Sequence, residues 1–482
     1  MANDTEDTET FVELQTLPSP PGLPLLGNLL QIDPSRVHLI LEEWAERYGS
    51  FYHLKMAHQT ALVVSEPQVI AEVLRARPDT FRRFSSVESV FADMGMTGLL
   101  SAEGEQWHRQ RKLTMRAFDP TRLRDYFPNL IKITERLRQR WLGAMVRGQT
   151  VDIQSDLMSY SVDVTAGLAF GSEINSIEGR DQVIRPCLDQ VFPIINRRLN
   201  SPVPYWRYFK LPSDRALDRN MAALRREVDT FIANARARMK ANPDLFVRPS
   251  NLIEAFLAVR DLPDSEFTDD DVYGNVFTTL LVGPDSTANV FSWLTYFLCA
   301  NPEVQNRVQA EASELLGVGP VLEDFAGIAK LKYLDAVASE TMRLKPSGPI
   351  LFLEAKHETR VGHVRVLPGT AIIALTRVGG MAPHNVVEPL RFDPGRWMKA
   401  ADADQADVPN QSDDATLKRI AMPFGAGARL CPGRYLALVQ IKMLGAMLGR
   451  NFRVERVDDS VIAERFKFSM EPVNLRVKLS PR

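Results

Sequence analysis

The sequence has few cysteines, almost no net charge and no long apolar run. Cys187, Cys299 and Cys431 are scattered and form no Cys-x-x-Cys pair, which excludes a disulfide framework and a zinc-finger arrangement. A formal net charge of -2 provides no basic footprint for nucleic acid. No apolar stretch approaches the about 18 residues that a membrane-spanning helix needs. We therefore expect a soluble, cytoplasmic protein with no nucleic-acid partner and no membrane span.

The chain does have length and apolar content, with 482 residues of which 45% are hydrophobic. This is enough for a large buried core. The first residues, MANDTEDTETFVELQ, are acidic and lack the basic and apolar regions of a signal peptide. A proline-rich lead-in follows at residues 18–24. We predict a disordered acidic tail over residues 1–16 and a single domain over residues 17–482.

Helical periodicity dominates the chain. The pattern predicts a helix over residues 37–48, amphipathic helices within residues 103–147 and 214–240, and two more that begin at Pro302 and span residues 331–344. These segments make the protein mostly helical.

The longest predicted helix starts after Thr268, which precedes Asp269, Asp270 and Asp271. A threonine N-cap and carboxylates at the positive end of the helix dipole both stabilise a helix start. The helical pattern then continues to about Ala300.

The β-like segments are short. The runs FYHLKM and TALVVS predict a hairpin, and HVRVL and TAIIAL predict two further strands. Residues 399–418 are acidic without periodicity, which is typical of a solvated loop. The predicted fold class is mainly α with smaller β-sheets (α+β).

The most informative segment is PFGAGARLCPGRYLA, residues 423–437. Gly425 and Gly427 allow a tight loop, and Pro432 stands where a helix is expected to begin. The Cys431 sulfur would then lie among unpaired N–H groups at the positive helix end, which favours a thiolate. A single thiolate suits haem iron rather than zinc, which needs four ligands. A buried cysteine after a turn is the alternative interpretation.

This segment resembles the haem-binding signature FxxGxRxCxGxxxA of the cytochrome P-450 family. The matching residues are Phe424, Gly427, Arg429, Cys431, Gly433 and Ala437. The resemblance implies the cytochrome P-450 fold, with haem b between a long distal helix and the helix after the cysteine loop. It also implies that Cys431 is the iron ligand, that Arg429 pairs with a haem propionate and that Phe424 packs over the sulfur.

Two further motifs extend the resemblance over nearly the whole chain. In SETMRLKP, Glu340 and Arg343 share one helix face and form the family's ExxR pair, which Arg396 in RFDPGRWM is expected to join. In GEQWHRQRKL, Trp107 and Arg111 match the WxxxR pattern of the helix that binds the other propionate. An ordinary surface ion pair is the alternative for Glu340 and Arg343.

The long helix departs from the family pattern. It reads Val282-Gly283-Pro284-Asp285-Ser286-Thr287, where members normally have (Ala/Gly)-Gly-x-(Asp/Glu)-Thr-(Thr/Ser). Ser286 keeps the hydroxyl of the usual threonine but lacks the methyl group that restricts its rotamer. Pro284 has no N–H, so it is expected to bend the helix; a kink without catalytic meaning is equally compatible.

A second departure follows the ExxR helix, where many members place an arginine that reaches a propionate. Here ILFLEAKHE contains none, and Glu354 occupies this neighbourhood. We therefore expect the haem carboxylates to pair with Trp107, Arg111 and Arg429 alone.

The resemblance implies a haem-thiolate monooxygenase that inserts one oxygen atom of O2 into a hydrophobic molecule such as a fatty acid or terpenoid. The run PSGPILFLEAKHET is similar to soluble, bacterial-type fatty-acid hydroxylases. Asp285 and Ser286, with Thr287 beside them, are the predicted catalytic proton relay. The predicted pocket walls are apolar and consist of Leu100, Leu281, Val282, Leu351, Phe352, Phe468 and Met470.

The sequence shows no flavin or iron–sulfur motif, so electrons from NAD(P)H are expected through a separate protein. One predicted helix is strongly basic, and in the family it flanks the proximal docking face. Its basic residues are His108, Arg109, Arg111, Lys112 and Arg116. An acidic ferredoxin or flavodoxin with its reductase is the expected partner, and a solvated helix face is the alternative. A peroxide-driven peroxygenase or isomerase and a non-catalytic haem sensor remain the competing functions.

Overall fold

The computed structural model describes residues 11–57, 59–118, 120–179, 183–199, 201, 203–398 and 414–482. Residues 1–10 of the predicted tail and residues 399–413 of the predicted acidic loop lie outside this range. Within the described part of the chain, no helix combines the length and hydrophobicity that crossing a membrane requires.

Helices form most of the described structure. They are α1 (Val37–Tyr48), α2 (Pro67–Arg75), α3 (Ser85–Asp93), α4 (Gly104–Ala117), α5 (Pro120–Val146), α6 (Ile153–Phe170), α7 (Ile184–Leu199), α8 (Pro212–Ala241), α9 (Leu252–Arg260), α10 (Asp269–Ala300), α11 (Pro302–Leu316), α12 (Lys332–Leu344), α13 (Val378–Met381), α14 (Asp414–Ala421) and α15 (Arg434–Asn451). The predicted mainly helical fold is confirmed. The periodic segment 103–147 is divided into α4 and α5.

The strands are short and form small sheets. They are β1 (Val12–Glu13), β2 (Phe51–Met56), β3 (Gln59–Val64), β4 (Phe81–Arg83), β5 (Val151–Asp152), β6 (Ile350–Ala355), β7 (Thr359–Val361), β8 (Val364–Val366), β9 (Ala371–Leu375), β10 (Phe452–Arg456), β11 (Glu464–Phe466), β12 (Met470–Pro472) and β13 (Arg476–Pro481). The largest sheet has the order β2-β3-β9-β6-β4 and contains the predicted hairpin β2–β3, in which Phe51 pairs with Val64.

Two of the predicted irregular segments are ordered in part. Val12 and Glu13 pair in parallel with Val364 and Arg365, so the prediction of a disordered tail is wrong for residues 11–16. Backbone pairing to a distant strand depends on tertiary structure, and the local composition does not reveal it. Similarly, the end of the predicted acidic loop forms α14, which begins at Asp414.

Helix α10 runs through the middle of the protein and organises its core. Thr268 and Asp271 form a reciprocal capping box at its start, as the N-cap pattern predicted. Its first half contributes Phe277 to a hydrophobic cluster with α7, α8 and α9, and its second half contributes Leu294 to another with α5, α12 and α15. Because α10 is fixed on both sides, the residues near its middle occupy a rigid position.

Candidate active site

A cavity of about 930 Å³ lies where α10, α4 and the cysteine-containing loop of residues 423–433 meet. The largest sheet and the hairpin β11–β12 complete its wall, with Phe352 and Phe468 among the lining side chains. Most of the lining is apolar, which suits a hydrophobic molecule or a planar organic cofactor.

The cysteine loop is held close to α2. Gly427 has a φ of +70°, and an added Cβ would come within 2.7 Å of the Leu74 carbonyl oxygen and the Arg75 Cα. Only glycine combines this left-handed backbone with such close packing. The Cys431 N–H donates to the Phe424 carbonyl over 3.0 Å, and both residues line the cavity. The loop therefore presents Cys431 in a fixed place on the cavity wall.

Helix α15 begins at Arg434, two residues later than Pro432 suggested. Burial raises the pKa of the Cys431 thiol, whereas the N–H groups of Gly433 and Arg434 and the charge of Arg111 lower it. The helix end thus acts as expected, but burial outweighs it in the isolated protein. Coordination to a metal cation deprotonates a thiol outright, so such a site is suited to a bound metal ion.

A cluster of arginines lies beside the cysteine loop. Arg77, Arg83 and Arg429 line the cavity and share one carboxylate, Glu103, whose Oε2 lies 2.6 Å from Arg429 Nη2. The Arg429 guanidinium also stacks on Trp107, 4.4 Å from the ring centre. Three positive charges and one negative charge leave an excess of two.

These guanidiniums are buried without adequate partners. Arg77 is 7% exposed, and its Nε and Nη2 make no hydrogen bond to any residue that the structure describes. Burial, together with the charges of Arg83 and Arg429, lowers the pKa of Arg77 to about 9. Unpaired buried charges are costly, so the cluster calls for an anionic ligand. An excess of two charges matches the two propionates of haem b.

Arg77 and Arg83 were missed by sequence reasoning, which expected Trp107, Arg111 and Arg429 alone. Arg77 follows the end of α2 and Arg83 ends β4, far from any recognised motif, and only folding brings them to Arg429. Arg111 lines the cavity but donates to the Leu430 carbonyl at 2.5 Å and faces Cys431. Glu354 accepts from the N–H and hydroxyl of Ser85.

On α10, eight residues at three- and four-residue spacing line the cavity: Asn275, Thr278, Thr279, Val282, Gly283, Ser286, Thr287 and Val290. The predicted Ser286 and Thr287 are therefore on the cavity wall. Pro284 is buried, is not among the lining residues, and lies within a helix that continues through it.

Asp285 does not line the cavity, although it is next to Ser286. Successive helical side chains point about 100° apart, so the carboxylate faces the hairpin β11–β12. Its Oδ2 accepts from the Ser469 hydroxyl at 2.5 Å, and Ser469 itself lines the cavity. Burial raises the pKa of Asp285 to about 6, against the hydrogen bonds from Ser469 and Asn289 that lower it.

The Asp285 carboxylate belongs to a longer polar network. Asn289 Nδ2 donates to Ser469 at 2.6 Å, and Gln154 donates to Asn289 at 3.0 Å and to Glu471 at 2.6 Å. Glu471 in turn pairs with Arg465 and Lys467, which are partly exposed. The sequence contains no motif that joins Asp285 to Ser469, so this connection was also missed.

The predicted apolar walls are mostly in place. Leu100, Val282, Leu351, Phe352 and Phe468 line the cavity.

Leu281 and Met470 are exceptions. Leu281 is fully buried in the cluster with α7, α8 and α9, because it lies one helical position away from the lining face. Met470 lies in β12 and packs in the core against the large sheet, whereas Phe468 occupies the turn that enters the cavity. The prediction that these two residues line the pocket is wrong.

The ExxR pair is completely buried. Glu340 and Arg343 form two hydrogen bonds of 2.7 and 2.8 Å, and Arg396 Nε lies 3.4 Å from Glu340. Trp397 Nε1 and the Asp393 N–H also donate to Glu340. The network joins α12 to the segment before the acidic stretch and does not touch the cavity.

The described residues fit haem b well. The cavity offers a thiol on one wall, an apolar interior and an arginine cluster with two unbalanced charges, which suit the iron, the ring and the propionates respectively. Cys431, Arg77, Arg429 and Trp107 are the side chains in position to hold the group.

Comparisons with known proteins agree with this geometry. The family model for cytochrome P-450 matches residues 17–479. A cyclooctat-9-en-7-ol 5-monooxygenase of Streptomyces melanosporofaciens is 26% identical over 92% of this chain and 90% of its own length. A tabersonine 16-hydroxylase of Catharanthus roseus is 23% identical over 89% of this chain and 84% of its own.

A bifunctional cytochrome P-450/NADPH–P-450 reductase of Acremonium egyptiacum is 26% identical over 92% of this chain, but the match covers 41% of that longer protein. Relatives from a bacterium, a plant and a fungus thus share the domain. The chain belongs to the cytochrome P-450 family of monooxygenases, which bind haem b and use O2 as co-substrate.

Proposed function

We propose that this protein inserts one oxygen atom of O2 into a hydrophobic small molecule and takes electrons from NAD(P)H through a separate redox protein. The observation that carries the proposal is the placement of Cys431, the unbalanced arginine cluster and Ser286 on one cavity of about 930 Å³. When bound, haem would supply the oxidising chemistry, which a thiolate ligand supports.

The protein holds the cofactor by complementary groups. Cys431 would ligate the iron and Arg77, Arg83 and Arg429 would bind the propionates, while Trp107 supports the Arg429 guanidinium by stacking. The buried network around Glu340 fixes the segment behind the site and takes no part in chemistry.

Protons reach the cavity through Asp285 and two hydroxyl groups. The Asp285 carboxylate binds a proton at Oδ2 with a pKa of about 6, close enough to neutrality to exchange it readily. The Ser469 hydroxyl, 2.5 Å away, transfers it to water in the cavity, where Ser286 hydrogen-bonds the same water. The network from Asn289 to Glu471 and Lys467 connects the carboxylate with the surface.

The electron donor docks near the cysteine loop. Arg111 ties α4 to this loop, and exposed cations lie on both sides of that contact, Lys112 on α4 and Arg434 at the start of α15. Arg109 is exposed but pairs with Glu266, and the Arg116 side chain lies outside the described residues. An acidic ferredoxin or flavodoxin fits this surface.

The test begins with the CO-bound, reduced protein, which should show the red-shifted Soret band of thiolate ligation. Cys431→His should lose this band, and the matched control Cys299→Ser should keep it. Retention of the band in Cys431→His would refute the ligand assignment. Turnover with NAD(P)H, ferredoxin and reductase is then compared with peroxide alone. Product formed only with peroxide would indicate a peroxygenase, and absence of turnover in both would indicate a sensor.

A further inference from the structure

The charged residues of the cavity wall all have one sign. Among the described residues, seven arginines and lysines line the cavity and no aspartate or glutamate does; they are Arg77, Arg83, Arg111, Arg198, Arg207, Arg429 and Lys467. A low-dielectric cavity lined by one sign of charge concentrates ligands of the opposite sign. The cavity as a whole therefore favours an anion.

Four of these residues lie beside the cysteine loop, where haem is expected, and Lys467 pairs with Glu471. Arg198 and Arg207 belong to a different part of the wall, formed by the end of α7, the segment 204–207 and α3. This wall contributes Ser86 and Ser89 as additional hydrogen-bonding groups. No requirement of the cofactor accounts for a polar, basic wall here.

Arg198 is the buried member of this second group. It is 4% exposed, and its guanidinium stacks on Trp206 at 5.1 Å. Its Nη2 lies 3.1 Å from Asp214, but its Nε has no hydrogen-bond partner in the described part of the protein. Asp214 is itself shared, because Arg197 Nη2 lies 3.0 Å from the same oxygen.

The charge of Arg198 is only partly balanced. Asp214 supplies one negative charge to two guanidiniums, those of Arg198 and of the partly exposed Arg197, whereas Arg207 has Asp93 as its own partner. A buried arginine with a free donor binds a carboxylate strongly, because a hydrogen bond between two charged groups gains from desolvation.

We infer that the substrate is an apolar carboxylic acid whose carboxylate binds Arg198, with Ser86 and Ser89 nearby. This inference rests on the proposed function and specifies its substrate class. The apolar part of the molecule then lies along Leu351, Phe352 and Phe468, on the remaining wall. Neutral compounds of the same shape bind less tightly, since they bring no negative charge to the Arg198 guanidinium, whose Nε lacks an acceptor among the described residues.

The test uses the haem-loaded enzyme and two probes of equal chain length, dodecanoate and methyl dodecanoate. Dissociation constants are measured by calorimetry at pH 7.5, where the acid is ionised. We expect dodecanoate to bind at least tenfold more tightly than the ester. Arg198→Gln should weaken dodecanoate binding by about 10- to 100-fold and change ester binding by less than about threefold.

Arg197→Gln is the matched control. Arg197 is the neighbouring residue, shares Asp214 and does not line the cavity, so its variant should keep the preference for the acid. Arg198→Lys should restore part of that preference by returning the charge. Equal binding of acid and ester to the parent, or an acid preference that survives in Arg198→Gln, would overturn the inference.

The outcome is separable from that of the proposed function. Binding constants need no turnover, so an Arg198-dependent preference for the acid without oxidation would overturn the proposed function and leave the anion site standing. Conversely, O2-dependent oxidation of neutral compounds with no preference for the acid would overturn the anion site alone.

Discussion

Replacing Asp285 by asparagine should make the protein more stable and less active, with a characteristic pH dependence. The side chain is 7% exposed and lies between Ser469 and Asn289. Asparagine has the same shape and can still accept the Ser469 hydroxyl hydrogen through its oxygen. The substitution therefore removes the ionisation and keeps the shape, although it replaces Oδ1, which accepts from Asn289 Nδ2 at 3.3 Å, by an amide nitrogen.

The size of the effect follows from the pKa. Folding raises the pKa of Asp285 from 3.8 to about 6, so the folded state binds more protons than the unfolded state between these values. Stability then falls as pH rises through this window, and the ionised carboxylate costs about 3 kcal/mol above it. Asparagine does not ionise, so the variant lacks this destabilisation. The free energy of unfolding of Asp285→Asn, relative to the parent, should therefore rise by about 2 kcal/mol between pH 4 and pH 7, since the unfolded carboxyl is already partly ionised at pH 4.

The measurement is urea denaturation of the haem-loaded parent and variant at half-unit pH intervals from 4 to 8. The difference in free energy of unfolding between the two proteins cancels the contributions of the other titrating groups, provided that both proteins unfold with equal m-values. A pH-independent difference would show that Asp285 does not titrate in this range. If the free energy of unfolding of Asp285→Asn fell relative to the parent towards neutral pH, the sign would be opposite to the prediction and the reasoning would be refuted.

Activity provides the second half of this prediction. The parent should lose coupling of NADPH use to product as pH rises above about 6, where the Asp285 carboxyl loses the proton that it donates. Asp285→Asn should turn over slowly at every pH and show no such pH-dependent loss of coupling. Ser469→Ala keeps the carboxylate but removes the hydroxyl that reaches the cavity, so it should divert electrons into peroxide while substrate binding stays near the parent value. Parental coupling in both variants would exclude this proton path.

Two further predictions concern the fold around the site. Glu340→Gln leaves the buried Arg343 charge without its carboxylate, so it should lower the free energy of unfolding by about 3–5 kcal/mol in denaturant titrations. The control Glu388→Gln changes the exposed pair with Arg391 and should lower the free energy of unfolding by less than about 1 kcal/mol. Similar losses in the two variants would contradict the structural role of Glu340. Pro284→Ala should return an N–H to the interior of α10 and raise stability by about 1–2 kcal/mol while lowering the rate or changing the product. Greater stability with parental rate and product would show that the proline has no catalytic part, and lower stability would refute the helix argument.

The sequence alone determined the features that depend on neighbouring residues. Capping by Thr268, apolar spacing along α10 and the glycines of the cysteine loop are local signals, and each produces its structure through contacts within a few residues. The same holds for Glu340 and Arg343, which are adjacent on one helix face. These segments also carry the family signature, so fold and cofactor could be predicted together.

Tertiary structure decided the features that depend on which distant segments meet. Arg77 and Arg83 join Arg429 only because β4 and α2 fold against the cysteine loop, and Asp285 meets Ser469 across 184 positions of sequence. The direction of each side chain decided which residues of α10 line the cavity. Leu281 and Asp285 flank the lining face of α10 but point away from the cavity. Hydrophobicity and charge are properties of a residue, whereas the partner that it meets is set by the packing of the whole chain.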